Sequence, residues 1–381
     1  MKLVSIVGAR PQFIKAAPVC KAFQIAGIDE CLVDTGQHYD DDMAGAFFRE
    51  LDLPKPAHSL GVGSGSHGRM TGRILENTEA VLEEEAPSAV LVYGDTNSTI
   101  AGALAAAKMA IPVIHVEAGL RSYRAAMPEE INRRLTDHIS SLLFCPTASA
   151  VENLRKESVA GPDTGAELLS QAACSALRST GKPIVANVGD VMMDALLAIR
   201  DREIEDSLID TLAPQGYALV TLHRAESTDD EGILKSLLKS IADLSEAMPV
   251  VFPMHPRTKS SLERAGLNSI VDDRPDLHCV PPMSYGRFIR AQAEARVIVT
   301  DSGGVQKEAY MLSVPCLTLR EETEWPETIS SGWNRLLGFR PADLAATCRD
   351  VRIPEGEAPA WFGDGNAAER IAAAVTAVLG G

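Results

Sequence analysis

Short runs of Val, Ile and Leu alternate with helical patterns along almost the whole chain, and this alternation limits the possible folds more than any other feature. "LVSIVG", "CLVDTG", "AVLVYGD", "PVIHVEAG" and "LLFCP" supply strands in the first half. "PIVANVGD", "YALVTLHR", "VVFPMHP", "HCVPP", "RVIVTDSGG" and "VPCLTLR" supply them in the second. Several runs are apolar at successive positions, as strands covered on both faces require. Helical stretches fall between them, for example at 11–26, 97–109, 128–140, 230–246 and 303–312. Strand and helix in regular alternation mean βαβ units and parallel sheets, one in each half.

The 381 residues exceed one ordinary core, so two domains of roughly 150 to 200 residues are expected. Residues 155–186 break the pattern with a polar stretch rich in Ala, Ser and Gly. The expected domains are therefore 1–182 and 183–364. The final "GNAAERIAAAVTAVL" reads as an amphipathic helix capped by Asn366, and 365–381 is expected to pack back on the first domain.

A formal charge of −16 without a basic cluster speaks against a nucleic-acid binder. Any polyanionic ligand must then be held by a few placed cations and backbone amides. The 7 cysteines are scattered, with no CxxC pair and no HExxH, and several lie in apolar runs. They read as buried free thiols in a reducing compartment. "MKLVSIVGARP" reaches Gly, Arg and Pro too soon for a signal peptide, and no apolar run is long enough to span a bilayer. A cytoplasmic protein is expected.

Ligands of open α/β sheets collect outside the carboxyl ends of the strands. Arg10, His38, Asp95, Glu117, His223, His255, Arg257 and Asp301 to Gly304 all fall there. Each alone could mark a chain reaching the surface, whereas the set in both halves points to a shared site between the domains. Glu117 is the sharpest case, because the apolar run "IPVIHV" leads straight into it, with His115 two residues before and Arg121 four after.

"VIVTDSGGVQKEAYM" (297–311) is a strand, a Ser-Gly-Gly turn and a helix. Its two glycines let a phosphate approach the backbone, and the helix N-terminus offers amides and positive potential. It is neither GxGxxG nor a Walker motif, so no dinucleotide or ATP hydrolysis is indicated. Glu308 is placed to accept hydrogen bonds from a ribose diol. "GARPQFIK" repeats the layout at the first strand, with Arg10 and Lys15 facing an anion. In "MPEEINRR" Glu129 and Glu130 occupy a first helical turn, where the dipole already accounts for Glu129. Carboxylates crowded into one crevice have their pKa values pushed apart, giving separate acid and base roles. His223 in "VTLHRAES" is an acid/base candidate, and His255 with Arg257 in "PMHPRT" sits at an equivalent strand end.

"GARPQFIKAAPV", "TGQHYD", "VYGDTNST", "HVEAGLRS", "MPEEINRRLTDH", "VTLHRAES" and "TDSGGVQKEA" occur in this order. Together they closely resemble the non-hydrolysing UDP-N-acetylglucosamine 2-epimerase family over residues 1–155 and 184–330. The resemblance implies two Rossmann-like parallel-sheet domains of the glycosyltransferase-B type, with the nucleotide sugar in the interdomain cleft. It implies elimination of UDP across C1–C2 to a 2-acetamidoglycal and its return with the opposite configuration at C2. Glu117, Asp95, Glu130 and His223 match the family's active-site groups. Arg10, Lys15, His255, Arg257, Ser302, Gly303, Gly304 and Glu308 match its UDP-holding positions, and Phe288, by its spacing before Ser302, a uracil contact. No metal or redox cofactor is implied, the partner is a UDP sugar, and the family's usual homodimer is expected.

Two departures stand out. The family's common "TERPE" reads "TEWPE", with Trp325 in place of Arg. With "NVGDVM" and "GGVQKEA", this resembles the subgroup acting on UDP-2,3-diacetamido-2,3-dideoxyglucuronic acid. A uronate calls for a cation, to be sought in Arg121, Arg124 or Arg320. "GQHYD" carries Asp40 where bacterial members have the second Gln of an activator-site motif. A hydrolytic 2-epimerase, a glycosyltransferase of the same fold and a non-catalytic nucleotide-sugar sensor are the alternatives. The transferase would need an acceptor site, and the sensor would lack the carboxylates or His223.

Overall fold

The computed structural model of the chain describes residues 1–37, 48, 50–159, 183–272, 274–355, 358 and 360–379. His38, Asp40 and Cys174 lie outside the described residues.

The apolar runs form two parallel sheets. The first contains β1 (Lys2–Val7), β2 (Asp29–Asp34), β3 (His58–Ser59), β4 (Ala89–Tyr93), β5 (Val113–Val116), β6 (Leu142–Cys145) and β7 (Ile184–Asn187), in the order β3-β2-β1-β4-β5-β6-β7. The second contains β8 (Ala218–Thr221), β9 (Val250–Pro253), β10 (Leu277–Val280), β11 (Val297–Thr300), β12 (Cys316–Thr318) and β13 (Asn334–Leu336), in the order β10-β9-β8-β11-β12-β13.

Both sheets are covered on two faces, which explains the unbroken apolar runs. In the second, Val220, Phe252, Val297 and Val299 pack with Leu234, Leu237 and Ile241 of the helix Glu231–Ser245. The alternate residues Leu219, Val251 and Ile298 join Tyr217, Val305 and Ala309 in a separate cluster. In the first sheet Val4, Ile6, Val90 and Val92 pack on Ala103 and Ala106 of the helix Asn97–Lys108. Each fully buried Val, Leu or Ile contributes about 1.5–3 kcal/mol.

Strand order reverses between β1 and β4 in one sheet and between β8 and β11 in the other. These are the topological switch points, outside whose carboxyl ends an open α/β sheet binds ligands. The residues that follow β1 and β4 are Gly8 to Arg10 and Gly94 to Asp95. Those that follow β8 and β11 are Leu222 to Arg224 and Asp301 to Gly303.

The chain divides into Met1–Leu197 with Ala360–Gly381, and Ala198–Pro359. The expected boundary after 182 lies too early, because β7 extends the first sheet by pairing from Leu142↔Ile184 to Cys145↔Asn187. A four-residue parallel strand carries no mark of the sheet it joins, which is why "PIVAN" reads equally well as the start of the second domain. The C-terminal helix runs Ala367–Leu379 and packs against the helix Arg10–Ala26. The expected Asn366 cap is replaced by Asp194, whose carboxylate accepts from the amides of Ala367 (3.3 Å) and Ala368 (2.8 Å). No helix of the described residues is long and apolar enough to cross a membrane.

Candidate active site

In the first unit, β1 delivers the chain to Gly8, where a Cβ would lie 1.9 Å from Thr35 Oγ1 and 2.4 Å from Ser98 Oγ. Gln12 fixes the turn that follows. Its Oε1 accepts from the amides of Gly8 (2.9 Å) and Ala9 (3.1 Å), and its Nε2 donates to the Tyr93 carbonyl (2.8 Å). The helix Arg10–Ala26 begins with exposed Arg10 and one and a half turns later presents Lys15, whose ammonium pairs with the Glu117 carboxylate.

Glu117 follows β5 in a left-handed conformation, with φ at +71°. For a residue with a Cβ this costs on the order of 1–2 kcal/mol. The strain is held by the amides of Glu117 and Ala118, which both donate to the Phe144 carbonyl at 3.0 Å. Gly94 leaves room for the carboxylate. Its φ is +63°, and a Cβ there would lie 3.0 Å from Glu117 Oε2 and 3.3 Å from Lys15 Nζ.

Asp95 follows immediately, and its carboxylate receives the Arg133 guanidinium. Arg133 Nη1 also lies 3.4 Å from Glu130 Oε2, one turn earlier on the helix Pro128–Ile139. Glu130 is buried and accepts from Ser122 N (2.8 Å), Ser122 Oγ (3.0 Å) and Tyr123 N (3.2 Å). Protein packed around the Asp95 carboxyl raises its pKa above 3.8; the Glu117 charge raises it further, while Arg133 and Lys15 oppose the shift. The group still keeps 32% of its side chain open to solvent. Asp95, Glu117, Glu130 and Lys15 are thus brought together as the sequence suggests. Arg133, which organises two of them, carries no separate signal in "NRR".

In the second unit, buried Asp301 at the end of β11 accepts from the amides of His223 (2.9 Å) and Arg224 (2.9 Å). His223 Nδ1 lies 3.4 Å from Asp301 Oδ1, and the His223 and His255 rings stand 5.4 Å apart. Burial lowers the His223 pKa below 6.5. The Asp301 charge opposes this, and Arg224, His255 and Arg257 add to the lowering.

Ser302 caps the helix Gly303–Met311, its Oγ accepting from Val305 N at 3.5 Å. A Cβ on Gly303 would lie 3.1 Å from Glu324 Oε2, 3.7 Å from Arg224 Nη2 and 3.8 Å from Arg320 Nη1. Nothing lies closer than 3.9 Å to the equivalent point on Gly304. Arg224 Nε is buried with no hydrogen-bond partner among the described residues, a donor that the sequence reading passed over. Glu308 is buried farther along, accepting from Gln292 Nε2 (2.8 Å) and Tyr285 Oη (3.3 Å). Arg257 Nη2 donates to both carboxylate oxygens of Asp229 (2.8 and 2.7 Å). Half-buried Phe288 sits on the helix Tyr285–Ala293 and packs on the core cluster that contains Val305.

Two of the cations considered for a uronate are already engaged. Arg121 binds Asp137 (2.7 Å) and Glu157 (2.8 Å), and Arg320 binds Glu324 in bidentate fashion (2.9 Å twice). Arg124 is exposed. Trp325 has a physical account: Lys307, buried on the Ser302-capped helix, places its ammonium 4.5 Å from the Trp325 ring centre. A second cation at position 325 would oppose Lys307, whereas an indole face attracts it.

The UDP-N-acetylglucosamine 2-epimerase family model matches residues 21–376. The chain is 44% identical to a UDP-N-acetylglucosamine 2-epimerase homolog of Methanococcus maripaludis, over 97% of this chain and 98% of the relative. It is 42% identical to the UDP-2,3-diacetamido-2,3-dideoxy-D-glucuronate 2-epimerase of Pseudomonas aeruginosa, over 98% of each. The crystal structure of the Methanocaldococcus jannaschii UDP-GlcNAc 2-epimerase, in complex with UDP-GlcNAc and UDP, superposes with a TM-score of 0.83 at 39% identity, covering 99% of both chains. With its two parallel-sheet domains and its cluster of carboxylates at the first switch point, the chain is an epimerase and belongs to the UDP-N-acetylglucosamine 2-epimerase family.

Proposed function

We propose that the protein is a non-hydrolysing 2-epimerase of a UDP-2-acetamido sugar, of the UDP-GlcNAc to UDP-ManNAc type or its 2,3-diacetamido-glucuronate analogue, serving the synthesis of surface polysaccharide precursors. The observation that carries this reading is the cluster of Asp95, Glu117 and Glu130 around Lys15 and Arg133. No ketone adjoins C2 of such a sugar, so simple loss of its proton is unfavourable. Elimination removes that difficulty. A basic group takes the C2 proton, the C–H pair becomes the C1=C2 bond, and the C1–O bond breaks with its electrons leaving on UDP. In the return step a proton reaches the opposite face of C2, and the UDP oxygen bonds to C1 again.

The scheme needs an acid and a base of different pKa near C2, and stabilisation of the departing diphosphate. Burial raises the pKa of Asp95, which makes it better able to hold a proton in such a scheme. His223, with its lowered pKa, is neutral at pH 7 and able to accept a proton. Ser302 to Gly304 at the helix N-terminus, with Arg10, Lys15, His255 and Arg257, take the diphosphate in this reading. Glu308 takes the ribose, and Phe288 the uracil. The protein acts in the cytoplasm as a homodimer.

Anion-exchange analysis of products from UDP-GlcNAc and from UDP-2,3-diacetamido-glucuronate tests the proposal. An equilibrium mixture of two UDP-linked epimers from one of them is expected. Free sugar with stoichiometric UDP would assign a hydrolytic epimerase instead, and no turnover of either would overturn the proposed substrates.

A further inference from the structure

We infer that His115 is a positioning residue that sets the segments carrying Asp95, Glu117 and Glu130 in one register. This deepens the epimerase reading and depends on it. His115 lies on β5 with no exposed surface. Its Nδ1 is 2.7 Å from Asp137 Oδ1 and its Nε2 is 2.8 Å from the Gly94 carbonyl. A carbonyl only accepts. The Asp137 carboxylate also accepts, for it receives Arg121 Nη1 (2.7 Å) and the Gly119 amide (3.2 Å). Nε2 therefore donates to Gly94, and Nδ1 shares a hydrogen bond with Asp137 Oδ1, so both ring nitrogens are engaged.

The ring adjoins every segment that bears a site carboxylate. Gly94 directly precedes Asp95. Asp137 lies on the same helix as Glu130, about two turns along. Glu117 follows His115 by two residues on its own chain segment. Arg121, from the segment after β5, and Glu157, at the end of the helix Ala148–Lys156, complete the charges that face the group.

Such a network is a poor way to gain stability, since burying charges costs several kcal/mol per ion and apolar packing does as well. What it provides is directional geometry, because every donor has a defined acceptor. A positioning role follows from that. Displacing a reacting group by about 1 Å costs on the order of 100-fold in rate.

Steady-state kinetics of His115→Gln, His115→Leu and Asp137→Asn on the UDP sugar that the wild type epimerises, with UDP binding by calorimetry, tests the role. Gln keeps a donor toward Gly94, Leu keeps only bulk, and Asn keeps the shape at 137 without the charge. We expect kcat to fall by about 10- to 100-fold, most for Leu and least for Gln, while KM and UDP affinity move less than about threefold. Wild-type kcat in a folded variant, or equal losses of kcat and UDP affinity, overturns the inference. If neither His115 variant folds, Asp137→Asn decides by the same criteria. A wild type that epimerises neither sugar would strike the proposed function and this role with it, whereas an active wild type with unaffected variants would strike the positioning role alone.

Discussion

The Lys15 ammonium and the Glu117 carboxylate form an ion pair whose side chains keep only 11% and 8% of their surface exposed. Their segments come from opposite sides of the β1/β4 switch point, and Glu117 adopts a left-handed backbone conformation to reach the pair. Removing one partner of a buried pair leaves a charge unmatched, at about 3–5 kcal/mol. Lys15→Met is therefore expected to destabilise the protein by that order. Glu117→Gln added to it should recover most of the loss. Equilibrium denaturation of both singles and the double checks the coupling, and additive losses would show that the pair is not an energetic unit.

Gly94→Ala tests the room left for this carboxylate. An alanine at φ +63° carries left-handed strain, and its Cβ would press on Glu117 Oε2 at 3.0 Å. The expected cost is about 1–3 kcal/mol, with a fall in kcat because Glu117 and Asp95 are both displaced. Denaturation and turnover of the same preparation measure the two effects, and an unchanged kcat would detach Gly94 from the site.

His223 gives a pH dependence of known sign. Its folded-state pKa lies below the ordinary 6.5, chiefly through burial. The contribution to stability is thus complete above the unfolded value and is lost as pH falls through the folded one. Between about pH 7 and pH 5 the Tm of the wild type should therefore fall more than that of His223→Gln. Parallel curves would show that the imidazole is not held in its neutral form.

Trp325→Phe should retain the seat of Lys307 and lose about 1 kcal/mol or less. Trp325→Arg sets two cations against each other beside a buried ammonium and should lower Tm well beyond that. Because Lys307 is on the helix capped by Ser302, UDP affinity should fall with it. Calorimetric titration of UDP into both variants checks this, and an unaltered Kd in Trp325→Arg would confine Trp325 to packing.

The sheets were legible because strands covered on both faces cannot hide a charge. Glu117, Asp95, His223 and Asp301 stand out at the ends of runs such as "PVIHV" and "VIVT". Parallel order and the two switch points follow from the alternation with helices. What stayed hidden depends on pairings across the fold. The sheet to which Ile184–Asn187 belongs is set by its neighbour Leu142–Cys145. The capping of Ala367 and Ala368 comes from Asp194, more than 170 residues away in sequence. Arg133 reads as one surface cation in "NRR", and only the structure turns it toward Asp95 and Glu130.

Proton NMR in D2O, with the UDP sugar that turns over and wild type beside Glu117→Gln, addresses the central claim most directly. The account predicts deuterium at C2 of both epimers with UDP still attached, and exchange slowed by about 100-fold or more in the variant. Epimers that keep protium at C2, or a variant that exchanges as fast as the wild type, would contradict it.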